Sequence, residues 1–213
     1  SLGLTTLPQA PNLSSITLHN SAGAVAIPTG PAVATSTIAV AGAGTIFDVN
    51  VTTNITHTFA ADLDITLTSP AGTVVTLTTD NGSSSDNVFN GTVWDDDANP
   101  GGALPYTTNN GLTSDHVYVD LTLASPLVPE EAMAAFIGEN PNGTWTLTVS
   151  DDLAGDGGSI ASWSLSIVNQ SCACTLTCPA NVTVSNAPAQ CGATVNLPAP
   201  TAVGSCGAVT CTP

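Results

Sequence analysis

The chain contains no lysine and no arginine in 213 residues, against sixteen carboxylates, so its formal charge is −16. Roughly a quarter of an average soluble domain is charged, with both signs mixed. Here the charged share is 8%, all of it acidic. Nucleic-acid backbone binding requires cations that displace counterions, so nucleic acid is excluded as a partner. A polybasic contact with anionic lipid is excluded for the same reason. A protease that cuts after Lys or Arg finds no site. No carboxylate can meet an Arg or Lys within the subunit. A clustered or buried Asp must therefore be solvated, hydrogen-bonded, protonated or bound to a metal.

Aromatics are also scarce, at 4%, so the core is expected to be built from Val, Leu, Ile and Ala. No apolar run approaches the roughly 20 residues of a membrane-spanning helix, which predicts no membrane insertion. Cysteine is missing until Cys172; then Cys172, Cys174, Cys178, Cys191, Cys206 and Cys211 follow within a short tail. An even count in a loop-rich segment predicts disulfides and an oxidising compartment. Zinc is the alternative, but paired C-x-x-C knuckles are missing and the tail has no histidine. The chain opens on Ser1 with no charged leader, as expected of a mature or excised segment. Together these features predict a secreted protein, extracellular or on the cell surface.

What is present is β pattern almost throughout. Trp145, Leu147 and Val149 alternate with threonines, and Trp163, Leu165 and Ile167 alternate with serines. Leu63, Ile65 and Leu67 form a third row, Phe47, Val49 and Val51 a fourth, and Val117, Val119, Leu121 and Leu123 a fifth. Period-two alternation marks half-buried strands, and β-branched outer faces suit a pleated surface. Turn signals separate the rows, among them Pro70-Ala-Gly72, Asp80-Asn-Gly82, Asn110-Gly111, Pro141-Asn-Gly143 and Gly155-Asp-Gly-Gly158. The pattern predicts an all-β fold, a sandwich or jelly roll. One helical turn is expected at Pro129–Phe136, with Glu130 and Glu131 against its N-terminal dipole.

The densest acidic run is Asp95-Asp96-Asp97; Asp62-Leu-Asp64, Asp151-Asp152 and the glycine-flanked Asp156 follow. Calcium takes six to eight oxygens, and such loops supply them with no internal cation competing. The expectation is at least one calcium ion, bound through the Asp95–Asp97 loop. Catalysis is not expected. His19, His57 and His116 are isolated, no G-x-S-x-G elbow occurs, and no H-E-x-x-H motif is present. N-x-S/T sequons are numerous, among them those beginning at Asn12, Asn54, Asn81, Asn90, Asn142, Asn169 and Asn181.

Four strings carry a resemblance. They are Ile55-Thr-His57 through Asp62-Leu-Asp64 to Pro70-Ala-Gly72; Phe89-Asn-Gly91-Thr92-Val-Trp94-Asp95-Asp96-Asp97; Phe136-Ile-Gly138-Glu139-Asn140-Pro141-Asn142-Gly143-Thr144-Trp145; and Asp151-Asp152 through Asp156 to Ser162-Trp163. In order and spacing, residues 27–168 resemble the P domain (Homo B domain) of kexin- and furin-like proprotein convertases. The resemblance implies a jelly-roll β-sandwich, often calcium-bound, with structural rather than catalytic duty. It implies Asp62, Asp95, Asp96, Asp97 and Asp156 as candidate ligands. Ala61 stands where that family usually has Gly, and no subtilisin-like catalytic domain is present. The tail, through Cys178-Pro-Ala-Asn-Val182-Thr-Val184 and Gln190-Cys191-Gly192, resembles the first half of a hyalin-repeat (HYR) module. That module is an Ig-like extracellular domain.

The expected organisation is an extension at 1–26, a sandwich at 27–168 and a cysteine-rich partial Ig-like segment at 169–213. The extension serves as a linker or donor strand. Half a sandwich leaves unpaired strand edges that a neighbour can complete. The first functional expectation is therefore a non-catalytic, calcium-stabilised subunit of a bacterial surface fibre or layer, with copies of itself as partners. The alternatives are the P domain of a secreted subtilisin-like protease and an adhesin module.

Overall fold

The computed structural model describes residues 12–98, 111–112, 118–171, 174–177, 183–185, 188, 191–192 and 201–204; at 111–112, 174–177 and 201–204 the description is of backbone alone. The chain divides into two units, one of Leu13–Gln170 and one of Ser1–Asn12 with Ser171–Pro213. In chain order the strands are β1 (Asn12–Leu13), β2 (Thr17–Asn20), β3 (Val25–Ile27), β4 (Ala32–Val40), β5 (Thr45–His57), β6 (Leu63–Thr68) and β7 (Val74–Thr78). Then come β8 (Asn90–Trp94), β9 (Gly111–Leu112), β10 (Leu127–Val128), β11 (Gly143–Asp151), β12 (Gly158–Ser171), β13 (Cys174–Thr177) and β14 (Thr201–Gly204).

The first unit is a β-sandwich. One sheet runs β12-β5-β8-β10-β9, with β2 and β3 along the other side of β12; the second runs β4-β11-β6-β7. The alternating rows explain the layering. Trp145, Leu147 and Val149 of β11, Leu63, Ile65 and Leu67 of β6, and Leu165 and Ile167 of β12 are all 0% exposed. Burying such side chains is worth about 1.5–3 kcal/mol each. In the other unit, β13 pairs antiparallel with β14, Cys174 opposite Gly204.

Four sequence expectations need revision. The core is not only aliphatic: Trp94, Trp145, Trp163, Phe89 and Phe136 are among its largest fully buried side chains. Each indole N–H finds an acceptor, from Trp94 to Thr53 Oγ1 at 3.0 Å, from Trp145 to the Pro141 carbonyl at 2.9 Å and from Trp163 to Ser36 Oγ at 2.9 Å. That satisfies the polar edge and leaves the ring faces to pack. The row Phe47-Val49-Val51 is broken, because β5 shifts register against β12 between Val168 and Asn169. This bulge turns Ile46 inward and leaves Phe47 41% exposed. The row starting at Val117 is no strand where it is described. Thr122 N–H bonds to the Val119 carbonyl, Leu121 has a left-handed φ of 56°, and Val119, Leu121 and Leu123 are exposed; Val117 itself lies outside the described residues.

The helical turn starts later than expected, as a short 3-10 helix over Met133–Phe136. Glu130 and Glu131 lie outside it and cover β7 instead. Their N–H groups donate to the carbonyls of Leu77 and Thr76, and their carboxylates accept from the N–H groups of Thr79 and Thr76. The described part of the N-terminal extension is also built in. β2 pairs with Ser164–Ile167 and β3 with Gly158–Ile160 of the same chain. Residues 1–11 lie outside the described residues.

Candidate functional site

β5 carries an acidic group at each end. Asp48 and His57 are nine positions apart on one strand, so at ~3.3 Å per residue the two groups are about 30 Å from each other. The five aspartates singled out from the sequence divide between them: Asp95, Asp96 and Asp97 near Asp48, Asp62 and Asp156 near His57.

The Asp95–Asp97 run follows β8. The Asp95 N–H donates to the Leu127 carbonyl at 2.9 Å, holding the turn against β10. Its Oδ1 accepts the Asp97 N–H at 2.8 Å and its Oδ2 accepts the Asn50 amide at 3.2 Å. Asp96 reaches across to the 3-10 helix and takes the N–H groups of Met133 and Ala134 at 2.9 and 2.8 Å, one per carboxylate oxygen. Those donors are the free ones that a helix start leaves behind. Adjacent like charges are thus turned apart and hydrogen-bonded. The residual strain falls on Asp48, whose carboxyl is pushed up by burial and then by Asp95, Asp97 and Asp96, with the Val49 N–H opposing.

The other end is drier. His57 closes β5, Asp151 closes β11, and Asp62 sits in the one-turn 3-10 helix Ala60–Asp62 that opens β6. Pairing of β11 with β6 sets Asp151 opposite Leu63, next to Asp62, and His57 reaches Asp151 from the facing sheet. Asp151 is 0% exposed, and Asp62 and His57 are each 3% exposed. His57 Nε2 lies 3.3 Å from Asp151 Oδ2 and donates to it. Nδ1 accepts the Phe59 N–H when the ring is neutral and donates to the Phe59 carbonyl when it is charged. Both ring nitrogens are therefore occupied, and neither faces a nucleophile.

Asp151 Oδ1 is buried without a hydrogen-bond partner. It turns toward Gly30, where an added Cβ would meet it at 2.5 Å and the Leu153 carbonyl at 2.2 Å, so no side chain fits at that position. The Asp62 carboxyl is pushed up, first by burial and next by Asp151; His57 pulls it down, and Asp156 and Asp152 add to the rise. Asp156 accepts the Thr58 hydroxyl at 2.7 Å, and the Asp152 N–H donates to the Asp62 carbonyl at 3.0 Å. Nearby, Asp64 is also raised by burial, then by Asp80, Asp152 and Glu130, and its Oδ1 has no partner. Among the described residues, no three His, Cys, Asp or Glu side chains are gathered to hold a metal ion.

Among the described residues Cys191 is exposed and has no disulfide partner. The side chains of Cys172, Cys174, Cys178, Cys206 and Cys211 lie outside the described residues, as does His116. His57 and Asp151 were not chosen from the sequence as site residues, yet the signal was present. Asp151 is in phase with Trp145, Leu147 and Val149, and His57 is in phase with Val51 and Ile55. The same alternation that buries those rows places both side chains inside.

Residues 46–101 and 108–167, more than half of the chain, match the family model of the proprotein convertase P-domain. The chain belongs to that family. Among curated proteins no relative matches. The serine protease of Aeromonas sobria is similar at 21% identity with a TM-score of 0.43, over 79% of this chain and 29% of that one. The same protease in complex with its chaperone, ORF2, aligns at 20% identity with a TM-score of 0.43, over 78% of this chain and 28% of that one. This P domain therefore spans under a third of those proteases' length, and a likeness of that degree carries no argument here. The buried His57–Asp151 pair and the Asp95–Asp97 turn both lie inside the P-domain match.

Proposed function

We propose that the chain works as a secreted, non-catalytic P-domain module that supports a serine-protease catalytic domain and is stabilised by calcium. One observation carries the calcium part. Asp62 and Asp151 are buried together, one Asp151 oxygen lacks any partner, and His57 is the nearest group able to offset their charge. Buried carboxylates without cations are costly unless an ion or protons neutralise them. The donor set at this end is all oxygen, with Asp62, Asp151, Asp152 and Asp156, which suits a hard cation. A bound ion would draw these side chains together and lift the repulsion. The Asp95–Asp97 run is the weaker candidate, because Asp95 and Asp96 are already occupied by N–H donors.

Family membership supports the accessory role, and occupied nitrogens on the buried histidine argue against chemistry at His57. A fibre completed by the 1–26 extension as donor strand lacks support where that extension is described, because β2 and β3 pair within their own sheet. The test is the gene region preceding Ser1. The expected product carries a protease domain whose soluble, active yield collapses when residues 13–170 are deleted. A product with no catalytic domain, or one indifferent to the deletion, would overturn the proposal.

A further inference from the structure

The sheet edges of the sandwich are guarded unequally. β7 is sealed by Glu130 and Glu131, which pair with its backbone and add charge. β9 is two residues long, and β2 and β3 are short pieces separated by a turn. β4 is different. It is nine residues long, Ala-Val-Ala-Thr-Ser-Thr-Ile-Ala-Val, and pairs with β11 over all nine positions without a register shift. Among the described residues nothing pairs with its other side. It has no charge, proline or bulge, the devices that normally keep an edge from recruiting another strand.

The charge distribution favours the same place. All sixteen carboxylates lie between Asp48 and Asp156, so β2, β3 and β4 carry none. The repulsion that a net charge of −16 sets between copies is therefore weakest along this edge.

We infer that β4 is a self-association edge, on which a second copy of this chain adds its own β4 antiparallel about a two-fold axis at Ser36. The strand suits itself in that register. Thr35 meets the partner's Thr37, and Val33, 64% exposed, meets the partner's Ala39. Thr–Thr pairs across antiparallel strands are favourable. On the core side Ala34 meets the partner's Ile38, because a register centred on one residue keeps each side chain on its own face. The result is one continuous sheet through both copies, closed by two-fold symmetry. This inference does not depend on the accessory role or on calcium.

Light scattering on the eluting full chain, at about 0.15 M salt and rising concentration, tests it. The expected mass is twice 21.1 kDa, and association tightens as salt screens the acidic repulsion. T35D/T37D places like charges opposite each other and returns the mass to the single chain. T35D/T37K places Asp opposite Lys twice and restores the doubled mass. If T35D/T37D fails to fold by circular dichroism, T35K/T37K replaces it, with the single-chain mass expected. A wild-type chain that stays single throughout overturns the inference. So does a like-charged variant that still doubles, a folded T35D/T37K that stays single, or association that weakens with salt.

Discussion

Asp151 illustrates how a chain without Lys or Arg handles an inward carboxylate. One oxygen takes the His57 ring and the other has no partner, and both residues are buried. Removing the ring leaves an uncompensated buried charge, which typically costs about 3–5 kcal/mol. His57→Ala is accordingly expected to lower the unfolding free energy by that order, read by urea denaturation. His57→Ala/Asp151→Asn should recover a large part of the loss, because the charge is then gone. If the two losses simply add, His57 and Asp151 are not coupled. Gly30→Ala belongs to the same corner and is expected to destabilise through its clash with the Asp151 carboxylate and the Leu153 carbonyl.

At the scale of elements, Asp96 is a cap supplied from a distant turn. Its two oxygens hold the first two N–H groups of the Met133–Phe136 turn. Capping residues are worth about 0.5–2 kcal/mol when replaced by Ala, and Asp96→Ala should fall at the upper end because both oxygens are engaged. A melt unchanged by Asp96→Ala would show the turn to be held by its packing alone. Most strands were legible in the sequence, because rows such as Leu63-Ile65-Leu67 and Trp145-Leu147-Val149 repeat at the strand period. Three features were not. The bulge that turns Phe47 out depends on pairing with β12, which local alternation cannot encode. The alternating row after Tyr118 was overridden by a turn in which Asp120 accepts the Asp86 N–H. Glu130 and Glu131 looked like helix-start residues, because an edge strand 50 positions earlier is invisible to local pattern. The candidate site was half legible: acidic clusters stood out, whereas the His57–Asp151 pairing required reading each strand's phase to its last residue.

Across the whole molecule, the carboxylates that clearly depart upward are Asp48, Asp62 and Asp64, each led by burial. A carboxyl whose folded pKa is raised binds protons more readily folded than unfolded. Its contribution is present at low pH and lost as pH rises through the folded value. Glu131 is the opposite case, lowered by its hydrogen bonds with Thr76, so its contribution disappears only as pH falls through that depressed value. In chelator, the chain should therefore melt higher at about pH 5 than at about pH 7. A melt that is as high or higher at about pH 7 than at about pH 5 would contradict the balance drawn from the three aspartates.

The account rests most heavily on the claim that the buried carboxylates around Asp62 take calcium, and that the Asp95–Asp97 turn does not need it. Thermal melts of the wild-type chain, Asp62→Asn and Asp96→Asn, each with calcium and with chelator, test it directly. Binding to the folded state alone raises stability by about 2.7 kcal/mol at a hundredfold excess over Kd. The account predicts a clear calcium-dependent rise for the wild type and for Asp96→Asn. It predicts little or none for Asp62→Asn, whose melt in chelator should already exceed that of the wild type. Equal wild-type midpoints with and without calcium, or a shift lost in Asp96→Asn and kept in Asp62→Asn, would contradict it.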